Sequence, residues 1–138
     1  MGKLFTWSQT DLTVSVTKMD DEHQKLIDIM NRLHERNEAN APKQELSTIL
    51  NELGEYTVKH FTHEEAYMES INYPKLSIHK TIHASLLEKF SFHKKDFLMN
   101  HDKVSREFFD FLTMWLRAHI QGIDRQYGDF SKTGKIAS

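Results

Sequence analysis

"LSIHKTIHASLLEKFSFHKKDF", residues 76 to 97, decides how the chain folds. Leu76, His79, His83, Leu86, Phe90, His93 and Phe97 recur at alternating spacings of three and four, the rhythm of one buried helix face. Within that seam "HKTIH", residues 79 to 83, sets two imidazoles four residues apart among leucine and phenylalanine. Burying an imidazole without a partner is costly. The seam therefore asks what faces His79 and His83.

The flanking sequence supplies three more helices. Pro42 suits the first turn of a helix whose stripe is Leu46, Leu50, Leu53, Thr57, His60 and Glu64, running to about Ser70. "NYP" at 72–74 breaks the chain, and Pro74 opens the quoted helix, which ends near Leu98. Before the "NEANAP" loop at 37–42, a first helix turns Leu26, Ile27, Met30 and Leu33 inward, with Asp20 or Asp21 expected as its cap. Asn100 or Asp102 is expected to cap a fourth, which carries Val104, Phe108, Phe111, Leu112, Trp115 and His119 inward.

Residues 1–18 lack helical periodicity and read as an extended N-terminal arm packed through Trp7, Leu12, Val14 and Val16. Residues 128–138 are polar and small and read as a flexible tail. The expected fold is all-α, one domain over 1–138. It is an up-down-up-down antiparallel four-helix bundle over 19–127, with the arm before it and the tail after it.

Composition narrows the chemistry. The 138 residues include 18 basic and 20 acidic side chains, a net charge of −2, with no basic block that would suit a nucleic acid. There is no cysteine, which excludes disulfides, zinc–thiolate sites and iron–sulfur clusters. Any metal must be held by nitrogen and oxygen. No apolar run approaches the ~20 residues that span a bilayer, so no membrane insertion and a cytoplasmic location are expected.

All four helices place a polar group on their apolar face. The first has His23, the second His60 and Glu64 one turn apart, the third His79 and His83, and the fourth His119 with Asp124 five residues later. One such histidine is ordinarily a core residue bonded to a neighbour. Seven groups converging from four helices are harder to satisfy that way. Five neutral imidazoles and two carboxylates offer mostly acceptors, and a pocket lined with acceptors needs cations. Seven ligands exceed one octahedron and suit two first-row ions. Imidazole with carboxylate suits iron, and zinc, manganese and copper remain open. Two carboxylates against two divalent ions and a hydroxide leave a charge of about +1, tolerable with some polar contact.

The spacing of His119 and Asp124 makes its own demand. On a regular helix five residues leave two side chains about 140° apart. Irregular backbone is expected between them, with Gly122 well placed for a π-type bulge or an early end to the helix.

In order along the chain, "DDEH" at 20–23, "HFTHEEAYM" at 60–68, "HKTIH" at 79–83 and "HIQGIDRQY" at 119–127 resemble the hemerythrin family in its bacterial single-domain form, as does Trp7 in the arm. The resemblance covers essentially the whole chain. It implies two non-haem iron ions with an oxo or hydroxo bridge. His79, His83 and His119 would hold one iron, and His23 and His60 the other, which keeps an open position. Glu64 and Asp124 would bridge them.

It also implies reversible binding of molecular oxygen for transport, storage or delivery, in a pocket walled by Leu26, Phe61, Trp115 and Leu116. The chain is expected to be a monomeric carrier rather than an enzyme, with an oxygen-using or redox protein as recipient. The alternatives are a di-iron oxidase or ferroxidase, a peroxide- or nitric-oxide-handling enzyme, and an oxygen-sensing module. Two details depart from the simplest form of the pattern. Glu22 stands before the first ligand where such families often carry Gln; as an i−1 neighbour it is expected to point outward, and turned inward it would add negative charge and favour the diferric form. His63 adds an imidazole read as surface or as support behind the ligands.

Overall fold

The chain reverses direction at two asparagines. Asn40 and Asn72 take left-handed backbone, φ 59° and 56°. In each turn the next N–H returns to a carbonyl five residues back, Ala41 to Arg36 at 3.0 Å and Tyr73 to Met68 at 2.9 Å. Asparagine tolerates this conformation at helix ends, and the paired bonds satisfy carbonyls the helix leaves open.

Between and beyond these turns run four helical rods, in a computed structural model that describes residues 13, 14 and 16–133. They are α1 (Thr17–Glu38), α2 (Lys43–Ser70), α3 (Leu76–Asn100), and a fourth rod of three parts. That rod joins α4 (Arg106–Ala118), a π-helical turn (His119–Asp124) and α5 (Arg125–Thr133). Short connections make neighbouring rods antiparallel, and the architecture is the four-helix bundle expected from the periodicity. No helix among the described residues is long and apolar enough to cross a membrane.

The seams bury what their spacing requires. Leu26, Ile27, Met30 and Leu33 of α1 face Leu46, Leu50 and Leu53 of α2, all buried. On α3, Phe90 and Phe97 are buried, while Leu76, Leu86 and His93 are half-buried at the edge of the core. His93 instead stacks its ring on Phe108 and Phe111. Asn37 closes this end: its amide donates to Val104 O at 3.1 Å and its Oδ1 accepts from Val104 N at 2.8 Å. Arg32–Glu52 and Arg36–Glu45 ion pairs lace α1 to α2 on the outside.

The helix starts differ from the expectation, for a local reason each time. Helix α1 begins at Thr17, and neither Asp20 nor Asp21 caps it. Asp20 lies in the first turn and is buried. Its carboxylate reaches back to accept from Thr13 Oγ1 at 2.6 Å and Val14 N at 2.8 Å, pinning the strand that enters the helix. The cap of α4 is Ser105, whose hydroxyl accepts from Phe108 N, rather than Asn100 or Asp102. Pro74 sits two residues before α3 rather than in it.

Residues 128–133, expected to belong to the flexible tail, are helical. Tyr127 is fully buried, Gly128 is buried, and α5 continues to Thr133 with Phe130 against the core. At Gly128 a Cβ would lie 1.9 Å from Val14 O, so only glycine lets the entering strand cross the last helix here. Most of the arm, including Trp7 and Leu12, and residues 134–138 lie outside the described residues.

Candidate metal centre

The polar groups of all four rods meet at one end of the core. His23 comes from α1, His60 and Glu64 from α2, His79 and His83 from α3, and His119 and Asp124 from the two ends of the π turn. Each is 3% exposed or less. The i, i+4 pairs stack one helical turn apart and aim the same way. On the fourth rod an ordinary α-helix would point Asp124 away from His119. The i→i+5 turn brings the sixth residue back over the first. Gly122 is not what permits this, because a Cβ there would meet nothing within 4 Å and no left-handed φ is required.

All five imidazoles turn Nε2 toward the two carboxylates. His79 and His119 Nε2 stand 2.8 and 2.9 Å from Asp124 Oδ1, and His23 Nε2 stands 3.1 Å from Asp124 Oδ2. His83 and His60 Nε2 lie 3.2 and 3.4 Å from Glu64 Oε1. The set divides into two groups whose ligand atoms all lie within 4.8 Å of one another: Glu64, His79, His83, His119 and Asp124; and His23, His60, Glu64 and Asp124. Both carboxylates belong to both groups. The five histidines split three and two around a shared pair of acids.

The donor set fits cations and little else. His83 and His119 bring two Nε2 atoms within 3.1 Å, a contact that needs a proton or a metal ion between the two rings. Among the described residues His23 Nε2, His60 Nε2, Glu64 Oε1 and Asp124 Oδ2 are buried with no hydrogen-bond partner. Their close approaches are not aligned as donor to acceptor. Ligands bound at about 2.1 Å and at right angles lie about 3.0 Å apart, which matches these separations.

Protons can answer the same demand. Burial alone would push His23 and His119 down, but Asp124 and Glu64 beside them outweigh it and hold both imidazoles up to about 9. His60 is raised in the same way. Burial opposes ionisation of Glu64 and Asp124, yet the facing histidines keep both carboxyls well below the usual range. Metal ions and protons therefore compete for one pocket.

Four residues behind the cluster complete it. Glu22 Oε1 accepts from His60 Nδ1 at 2.7 Å, and its Oε2 from His63 Nδ1 at 2.6 Å. The expectation that Glu22 points outward is thus corrected: it is 12% exposed and clamped between two imidazoles. An i−1 neighbour of His23 on α1 reaches the adjacent α2, which helical phase alone does not reveal. His63, 31% exposed, takes the supporting position allowed for it. Glu65 Oε2 accepts from His83 Nδ1 at 2.9 Å. Tyr127 donates its hydroxyl to Glu64 Oε2 at 2.6 Å. A carboxylate on Nδ1–H fixes the tautomer that leaves Nε2 free for a metal and makes it more basic.

Glu65 and Tyr127 were missed as site residues, though both stand inside the quoted motifs. Helical spacing carried the one available signal, since Tyr127 follows Asp124 by three.

The apolar residues read as a pocket wall are all buried. Phe61 lies flat on His83, centroids 3.8 Å apart and planes 2° from parallel. Its ring is 6.0 Å from Trp115, which meets His119 edge-on at 5.9 Å. Leu26 and Leu116 are closed off at 0% and 1% exposure. An apolar groove of about 290 Å³ between α3 and α4, lined by Ile82, Leu86, Phe111 and Met114, ends against Trp115 and His119.

Comparison with known proteins agrees with this geometry. The family described as "Hemerythrin HHE cation binding domain" matches residues 14–130. The chain belongs to the hemerythrin family. The bacteriohemerythrin of Clostridium acetobutylicum is 38% identical over 130 residues, spanning 91% of this chain and all of that one. That of Methylococcus capsulatus is 30% identical, over 91% of this chain and 95% of its relative. A wild-type hemerythrin crystal structure superimposes with a TM-score of 0.83 at 30% identity, covering 91% of this chain and 96% of the other. A point-substituted hemerythrin gives 0.85 at 29%, covering 93% and 97%. The hemerythrin family binds non-haem iron and oxygen, and the buried cluster of histidines and carboxylates could hold metal.

Proposed function

We propose that the chain binds molecular oxygen reversibly at a pair of non-haem iron ions and serves as a carrier or store. The observation that carries this reading is the three-and-two division of histidines around two shared carboxylates. His79, His83 and His119 with both acids fill one ion's ligand shell more completely than His23 and His60 fill the other's. The unequal division leaves room for a small ligand on the two-histidine side. Iron there supplies reversible two-electron chemistry with dioxygen. The protein's part is to hold the ions together, fix the imidazoles through Glu22 and Glu65, and keep water away with Leu26, Phe61, Trp115 and Leu116.

A carrier reading is supported over an oxidase by the donor set. Five imidazoles and two carboxylates donate less charge than the four-glutamate sites of oxygen-activating bundles. Metal analysis with visible spectra tests it. Two irons per chain, an absorption band that grows in air and disappears under vacuum, and stoichiometric oxygen uptake are expected. Continuous consumption of oxygen with turnover of a reductant would assign the site to an oxidase. Bound zinc with no response to oxygen would reject oxygen binding altogether.

A further inference from the structure

Three of the chain's four tyrosines gather at the metal end of the bundle. Tyr127 is fully buried against Glu64, the carboxylate shared by both ligand groups. Oxygen carriage does not require a phenol there, because an amide would satisfy the same oxygen. What a phenol adds is a side chain able to lose one electron with one proton and recover both.

The ring of Tyr127 meets Tyr67 edge-on at 5.8 Å and Tyr73 at 6.5 Å. Tyr73 leads nowhere, being 4% exposed and covered by Phe130 at 5.4 Å. Tyr67 is half-buried, and its hydroxyl pairs with Ser131 Oγ at 2.6 Å on the surface. A shared carboxylate, a buried phenol and a surface phenol therefore stand in succession. Trp115, the other oxidisable ring beside the cluster, offers no such path. Its indole N–H is buried without an acceptor, so an oxidised Trp115 would have nowhere to send its proton.

We propose that Tyr127 and Tyr67 form an electron relay that feeds the metal pair from the surface when hydrogen peroxide is reduced there. The relay rests on the di-iron reading above. Dioxygen that left a reduced iron pair with two of its electrons and two protons from water would leave as hydrogen peroxide, so oxygen carriage would itself supply this oxidant. Reducing one peroxide to two waters takes two electrons and two protons, and once both irons are ferric the electrons must come through the polypeptide.

Tyr127 would give up one electron toward the metals while its phenolic proton shifts along the 2.6 Å hydrogen bond it already makes to Glu64 Oε2. Tyr67 then re-reduces Tyr127, which takes that proton back, while the proton of Tyr67 leaves past Ser131 to water. A soluble thiol restores Tyr67 by giving one electron and one proton. Two passages, with two protons drawn from water, convert one peroxide and two thiols into two waters and one disulfide.

The test starts from iron-loaded protein whose oxygen-dependent absorption band has been recorded. A chain without that band fails the di-iron reading, and the relay falls with it before peroxide is added. With the band present, the protein is oxidised, mixed with hydrogen peroxide and a nitroso spin trap, and examined by freeze-quench electron paramagnetic resonance and peptide mass spectrometry. A tyrosyl signal and an adduct on Tyr67 are expected. Tyr67→Phe should prolong the buried radical and cut thiol-dependent peroxide consumption at least tenfold, and Tyr127→Phe should abolish the Tyr67 adduct. Tyr73→Phe should change neither. An adduct on Trp115, no trapped radical, or an undiminished Tyr67 adduct in Tyr127→Phe would overturn the relay.

Discussion

The two ends of the α3 seam are spaced alike and filled differently. Toward one end His79 and His83 face carboxylates, and toward the other Phe90 meets Phe108 and Phe97 is buried in the same apolar core. The apolar end needs nothing from outside, because removing hydrocarbon from water stabilises it whatever the solvent holds. The polar end collects buried atoms without partners, and its stability depends on which cations, protons or metal ions occupy it. One half of the bundle is built to fold and the other to bind.

The sharpest way to break that contrast is to remove a group both metals share. If the centre holds two ions as proposed, Glu64→Ala should abolish binding of both, so that metal content falls toward none, read by elemental analysis. His23→Ala should weaken the two-histidine position alone, leaving about one ion per chain. Equal loss of both ions in His23→Ala would show that the centre fills all at once. At the other end Leu50→Ala, wholly buried, should cost about 2–5 kcal/mol of folding free energy while leaving metal content and visible spectrum unchanged. A changed spectrum would mean the two halves are mechanically coupled.

Stability against pH separates the ends next. In metal-free protein His23 and His119 are held up to about 9, against an ordinary value of 6.5. Because the folded values are raised, the proton-linked stability is complete below about 6.5 and is lost as pH rises through about 9. The melting temperature of the metal-free chain should fall by on the order of 10 °C between pH 6 and pH 9.5. Glu64 and Asp124, held low by the histidines, act in the opposite sense and add a loss at strongly acid pH. The iron-loaded chain should lack the alkaline fall, since metal then stands where the protons did. Parallel curves for both forms would mean that protons and metal do not share the pocket.

What could be read from the sequence follows the same division. Leu46, Leu50, Leu53 and the histidine pairs announce themselves by period, because burial on a helix repeats every three or four residues. His119 and Asp124 announced the π turn by breaking that period. Residues that act across helices left no such trace. Glu22 looked like a solvent-facing neighbour of His23 because its partner lies on α2, and Tyr127 sat at the last residue expected of the bundle. Asp20 looked like a cap because its composition suits one, whereas it fastens the incoming strand. Local chemistry fixes the face a residue occupies, and the partner it finds there is a property of packing.

Glu22 makes the finest distinction within the binding half. Burial opposes its charge, but His60 and His63 hold its carboxyl below the usual range, so it is an anion behind the two-histidine position. A negative charge on His60 Nδ1–H makes that imidazole a stronger donor and favours the more highly charged, oxidised metal. Glu22→Gln keeps an acceptor for His60 Nδ1–H and removes the charge. The expected result is an oxygenated form that decays to the oxidised state several-fold more slowly, followed through loss of the visible band in air, with metal content still two. His63→Ala leaves the charge in place and should move the decay little. Faster decay in Glu22→Gln would mean that the carboxylate's chief role is to hold His60 in position, and that its charge does not set the balance between the two oxidation states.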